Sequence, residues 1–148
     1  MAMMKVLVPV DGSDNANRAV AHVLALYRSD AQLDIHLLNV QIPIDSGHAR
    51  LFVSPEELED YHRDEGLAAL APARHILDEA HVPYTHHVAV GHVADTITRY
   101  AKEHGFDKIA MGSHGRTALL QMVLGSVAHE VLKRSTIPVT LVKPAAEG

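Results

Sequence analysis

Apolar positions along the chain alternate between two rhythms, short β-branched runs and longer stretches with three- and four-residue spacing. Met4 to Val10 reads Met-Lys-Val-Leu-Val-Pro-Val and stops at Asp11-Gly12-Ser13-Asp14, which supplies both turn chemistry and a helix N-cap. Ala16, Ala19, Val20, Val23, Leu24 and Tyr27 then recur on one helical face, with Asn17, Arg18 and Arg28 expected in water. Leu33 to Val40 is a second strand, and Gln41 to Val53, holding Pro43 and Gly47, reads as a mobile loop. Ser54-Pro55-Glu56-Glu57 is a capping box with proline at the first helical position, so a long helix should begin there. Leu58, Tyr61, Ala68, Ala69, Ile76, Leu77 and Ala80 fit its spacing. Pro72 lacks an N–H and should kink or split it.

Tyr84 to Val90 predicts a third strand, and Val93, Ile97, Tyr100 and Ala101 a third helix that Gly105 can cap. Phe106 to Met111 predicts a fourth strand and Gly112 to Leu124 a glycine-punctuated connector. Ser126 to Arg134 follows as a helix, and Ile137 to Lys143 as a last strand entered through Pro138. This strict alternation specifies an α/β fold: one domain over residues 1 to 148, a five-stranded open sheet, mostly parallel, with helices on both faces. Ligands of such sheets bind beyond the carboxyl ends of strands, where strand order reverses.

The residues suited to chemistry do follow strands. After Met111 comes Gly112-Ser113-His114-Gly115-Arg116-Thr117, and Gly125-Ser126-Val127 heads the next helix, a spacing of glycine, two residues, glycine, nine residues, Gly-Ser. Glycine lets backbone approach a ligand and reach positive φ, so Gly112 and Gly115 can turn N–H groups toward oxyanions. Gly125 and Ser126 open a helix whose first N–H groups lack internal partners and carry the positive end of the macrodipole, which suits phosphate. The Ser126 hydroxyl can add a contact or share a Mg²⁺, and Arg116 supplies a permanent positive charge.

A standard P-loop is excluded, because Ala110 stands where its first glycine would be and Arg116 replaces the lysine. A dinucleotide-binding fingerprint is equally absent after the first strand. Asp11 has two readings, an acceptor for a ribose hydroxyl or merely the cap of the first helix. Pro9, Val10 and Val40 could wall an adenine.

Composition narrows the function classes. Cysteine is absent, which removes disulfides, thiolate metal sites and cysteine nucleophiles. Eighteen acidic against thirteen basic side chains give a net charge of -5, with the basic residues scattered, so nucleic acid is a poor partner. The run Val6 to Val10 is too short for a signal core or a membrane span, and a cytoplasmic protein away from membranes is expected. Twelve histidines are many, but His86 and His87 alternate across a strand. His22, His48, His62, His75, His81, His92, His104 and His129 show no ligand spacing and read as mostly surface residues. His114 reads as either a phosphate contact or an exposed side chain. No metal is expected to be held directly by side chains.

The loop motif, the opening Met4 to Ser13 and the closing Ile137-Pro138-Val139 resemble the universal stress protein family, specifically its ATP-binding subgroup, over nearly the whole chain. The resemblance implies a sheet of order 3-2-1-4-5, whose reversal between strands one and four is flanked by Asp11 and Gly112. It implies that Asp11 and Gly112 hold ribose, that Val40 backbone meets adenine, and that Gly115, Gly125, Ser126 and Val127 hold phosphates. Pro9, Val10, Met111, His114 and Arg116 complete the expected nucleotide site. The cofactor implied is ATP, or ADP or AMP, with Mg²⁺ bound through phosphates and Ser126. A homodimer is expected through Pro138 to Val142, an apolar segment at a sheet edge.

No serine sits in a nucleophile elbow, and no dedicated base or arginine finger is recognisable, so catalytic residues are not assigned. The leading expectation is a nucleotide-occupied regulatory or signalling module of the stress response, in which ATP orders the Gly112 to Gly125 connector. A slow ATPase or nucleotide-transfer enzyme, and a nucleotide-independent dimeric interaction protein, are the alternatives.

Overall fold

The computed structural model describes residues 3–44, 54–114 and 124–145, and among these residues five strands and four helices alternate. They are β1 (Met4–Pro9), α1 (Asp14–Arg28), β2 (Leu33–Gln41), α2 (Pro55–Glu79), β3 (Thr85–Val90), α3 (Val93–Glu103), β4 (Lys108–Gly112), α4 (Ser126–Arg134) and β5 (Val139–Val142). The strands form one parallel sheet of order β3-β2-β1-β4-β5, the expected order.

Side-chain alternation in β1 builds both layers. Val6 and Val8 face α1 and α2 with Ala19, Val20, Val23, Leu70, Ala73 and Leu77, while Leu7 faces α3 and α4 with Ile97, Ala101, Ile109 and Val131. Burial of β1 on both faces explains its unbroken apolar run.

Local chemistry sets the helix entries. Ser13 is the N-cap of α1 and its Oγ accepts from Ala16 N at 3.1 Å; Ser54 caps α2 in the same way, accepting from Glu57 N at 3.1 Å. Asn17, expected in water, is half-buried, with Oδ1 shielded between α1 and its surroundings, whereas Arg18 and Arg28 are exposed as expected.

Several element boundaries differ from the pattern reading. Helix α2 runs through Pro72 without splitting, because Pro72 and Ala68 are both exposed and water can reach the carbonyl that the missing N–H leaves behind. Tyr84 precedes β3, and Pro138 precedes β5, giving its carbonyl to Ile109 N. Phe106 and Asp107 precede β4: Phe106 N closes the end of α3 on Ala101 O, around Gly105 at φ +66°, and Asp107 N bonds Lys5 O. Gly112, placed by the pattern at the start of the connector, is the last residue of β4. Most of the expected loop from Gln41 to Val53 lies outside the described residues.

One histidine expectation changes, and the alternation of His86 and His87 holds. His62 is 6% exposed, since it shares the inner stripe of α2 with Gly66 and Leu70 at four-residue spacing. His87 turns inward, its Nε2 2.9 Å from Nδ1 of His36 on neighbouring β2, and both rings pack near Phe106 and Tyr100. His36 Nε2 also lies 3.1 Å from Asp34 Oδ1, a close electrostatic contact without hydrogen-bond alignment. Burial first, and then the nearby His36, His104, His86 and Lys5, pull the His87 pKa below its usual value of 6.5. Among the described residues no group of three His, Asp or Glu side chains could hold a metal ion. No described helix is long and apolar enough to cross a membrane.

Candidate functional site

The crevice opens where β1 leaves the sheet between β2 and β4, the point at which the strand order reverses. A cavity of about 760 Å³ lies there, within the size range that encloses small ligands. Every described candidate lines it: Pro9, Val10, Asp11 and Val40 on one side, Met111, Gly112, His114, Gly125, Ser126 and Val127 on the other. Gly115 and Arg116 lie outside the described residues.

The β1 side is held by backbone and by one buried amide. Val10 N donates to Leu38 O at 2.8 Å, and Asn39 Nδ2 donates to Val10 O at 2.8 Å, so the residue before Asp11 is bonded to β2 through both of its backbone groups. Asn39 is 3% exposed, and its Oδ1 accepts from Gln41 Nε2 at 2.7 Å. Asp11 Oδ1 accepts from Ser13 N at 2.9 Å across Gly12, whose φ of +85° makes the turn. Ser13 rather than Asp11 therefore caps α1, and the second Asp11 oxygen is left for another donor.

The β4 side is organised by Asn15. Its Oδ1 accepts from His114 N at 2.7 Å and its Nδ2 donates to Val142 O at 2.9 Å, with the side chain buried. Val142 O also accepts from Ser113 N at 2.9 Å, and Ser113 O accepts from Gly125 N at 2.9 Å. This chain of bonds fixes the end of β4 and the start of α4 relative to each other.

Two expectations about this side are corrected. Gly112 does not use positive φ; a Cβ there would come 2.9 Å from Asn15 Cγ and Oδ1, so the glycine admits α1 close to β4. His114 is buried, 8% exposed, rather than facing solvent, and its Nδ1 lies 2.8 Å from Ser113 Oγ. Gly125 N–H is already engaged, so the N–H groups available at the head of α4 begin with Ser126, an exposed residue.

Several lining residues escaped the pattern reading. Tyr61, Glu65 and Ala69 reach the cavity from α2, and Val93 and Ile97 from α3. Tyr61, Glu65 and Ala69 follow four-residue spacing in a second stripe beside the core-facing one of α2, whereas Val93 and Ile97 are the crevice end of the apolar stripe that packs α3 on the sheet. Such spacing was the signal available in the sequence. Asn15 and Asn39 gave none, because each bonds backbone far away in the chain.

The chain's relatives share this architecture. The model of the universal stress protein family matches residues 3–143. The chain belongs to the universal stress protein family. Universal stress protein YxiE of Bacillus subtilis is 34% identical over 146 residues, covering 94% of this chain and 98% of its own length. The solved structure of protein MJ0577 superposes with a TM-score of 0.82 at 29% identity, covering 99% of this chain and all of its own. That protein is a universal stress protein of Methanocaldococcus jannaschii. A family protein from Arabidopsis thaliana, solved with AMP bound, matches at a TM-score of 0.69 and 24% identity, covering 97% of this chain and 93% of its own, which is a likeness of fold.

Proposed function

We propose that this universal stress protein binds an adenine nucleotide, ATP with Mg²⁺ by preference, and acts as a cytoplasmic regulatory module rather than as an enzyme. One observation carries the reading: the crevice at the strand reversal sets a carboxylate oxygen of Asp11 on one wall and the free N–H groups at the head of α4 on the other, with an apolar floor between. A nucleotide offers a partner for each of these: ribose hydroxyls that can donate, phosphates that accept, and a flat base for the apolar surface.

The base would rest among Val10, Val40, Val93 and Met111, the ribose hydroxyls would donate to Asp11, and the phosphates would accept from the N–H groups of Ser126 and Val127. Mg²⁺ would be held by phosphate oxygens and the Ser126 hydroxyl, and would neutralise charge beside the acidic Asp11 and Glu65. Gly115 and Arg116 belong to the same proposal through the sequence motif alone. The AMP-bound relative makes adenine nucleotides the ligand class to test first.

Denaturing the purified protein and identifying what it releases, followed by calorimetric titration of the emptied protein with Mg-ATP, tests the reading. ATP, ADP or AMP near one per chain is expected, and Asp11→Ala should weaken binding about tenfold or more, the worth of a hydrogen bond to a charged group. An empty protein that also fails to take up millimolar Mg-ATP would sink the proposal.

A further inference from the structure

The carbonyl of Val142 stands at the end of β5, an edge strand, yet it is tied to the crevice twice, by Asn15 Nδ2 and by Ser113 N. The same Asn15 amide holds His114 N through its oxygen, and Ser113 in turn holds Gly125 at the head of α4. Arg18 Nε adds a bond to Lys143 O at 3.0 Å, one helical turn along α1 from Asn15. A buried amide with both ends engaged cannot let go of one partner cheaply, since an orphaned buried donor or acceptor has neither its partner nor water.

We infer that Asn15 is a positioning residue through which nucleotide in the crevice and the edge strand β5 act on each other. The inference rests on the nucleotide reading above. A ligand bound to the N–H groups of α4 restrains Gly125, hence Ser113, hence the carbonyl at the end of β5; Asn15 closes the circuit by fixing His114 and Val142 with one planar group. Linkage makes the effect reciprocal, so whatever restrains β5 should also favour nucleotide. Asn15 itself need not touch the ligand, and it is buried beneath Gly112, whose missing Cβ makes room for it.

Hydrogen exchange of Val139–Val142 with and without saturating ATP, referenced to Val6–Val8 of β1 to remove global stabilisation, tests this in the full chain. In the wild type ATP should slow β5 exchange relative to β1 about fivefold or more, a typical coupling between sites. Asn15→Asp keeps an acceptor for His114 N but cannot donate to Val142 O at pH 7. It should keep the His114 amide slow while losing the β5 response. Asn15→Leu should lose both, and its ATP affinity should fall about tenfold while that for adenosine, which lacks phosphates, stays within about twofold. A β5 response that survives in Asn15→Asp, or equal losses of ATP and adenosine in Asn15→Leu, would overturn the inference. A wild type that binds ATP with no response in β5 overturns it too and leaves the nucleotide reading standing; a wild type that binds neither ligand overturns the nucleotide reading.

Discussion

Two of the side chains that shape this molecule most, Asn15 and Asn39, are polar residues inside an apolar fold. Asn15 satisfies both ends of its amide on distant backbone, and Asn39 bonds Val10 O and the Gln41 side chain, which is how a polar group is buried without a net cost. Hydropathy patterns cannot reveal such residues, because Asn15 bonds a carbonyl 127 positions away. Asp11, by contrast, was legible from its place after the first strand, although which neighbour caps the helix was settled only by geometry. His87 leads to a prediction at this scale. Its pKa lies below 6.5 when folded, so the unfolded chain binds more protons, and its share of stability is present above pH 6.5 and lost as pH falls through that value. Urea unfolding between pH 7.5 and about 5.5, above the usual carboxylate range, should show falling stability. His87→Gln, whose amide can donate to or accept from His36 Nδ1, should flatten that slope; an unchanged slope would remove His87 as its source.

Elements were read well where their pattern was long. The helices from Asp14, Pro55, Val93 and Ser126 all announced themselves by a cap or a stripe, and the α2 pattern was strong enough to carry an exposed proline. Strand ends were read less well. Phe106 and Tyr84 look like strand residues because they are aromatic and follow helices, but backbone bonding hands Phe106 to the closing turn of α3 and leaves Tyr84 outside the ladder. Helix α2 also conceals a packing requirement. A Cβ on Gly66 would sit 2.6 Å from Val88 Cγ1, so this glycine sets how closely the helix approaches β3. Gly66→Ala gains about 1 kcal/mol of helix propensity but forces an overpacked contact costing about 1–3 kcal/mol. Net destabilisation by denaturant unfolding is expected, and Gly66→Ala, Val88→Ala should recover part of it; a stabilised single variant would show that helix and strand can separate freely.

At the scale of the whole molecule, alternation of strands and helices announced a parallel sheet, whereas the order β3-β2-β1-β4-β5 came from the family resemblance and agrees with the fold of a solved relative. The crevice was legible as a location, since a reversal of strand order always leaves one, but its far wall was not, because α2 reaches it with Tyr61 and Glu65 from a helix read only for its core face. Edge strand β5 carries the proposed self-association: its four residues are only partly buried in the isolated chain, and unpaired strand edges recruit partners. Light scattering at micromolar concentration should give twice the mass of one chain, and Thr140→Lys, which places charge on that edge, should shift the population toward one chain; a single-chain mass for the wild type would refute the dimer.

Because every strand runs in the same direction, the two termini of the sheet leave from opposite ends. The chain enters β1 at Met4 on the side away from the crevice and leaves β5 at Val142 beside it, separated along the strand direction by roughly the length of a strand, about 17–20 Å. A purification handle or immobilising linker placed ahead of Met4 therefore stays clear of the pocket. A fluorophore attached just after Lys143 would sit at the crevice end of the sheet, next to the carbonyls that Asn15 and Arg18 hold, where it could serve as a sensor of occupancy.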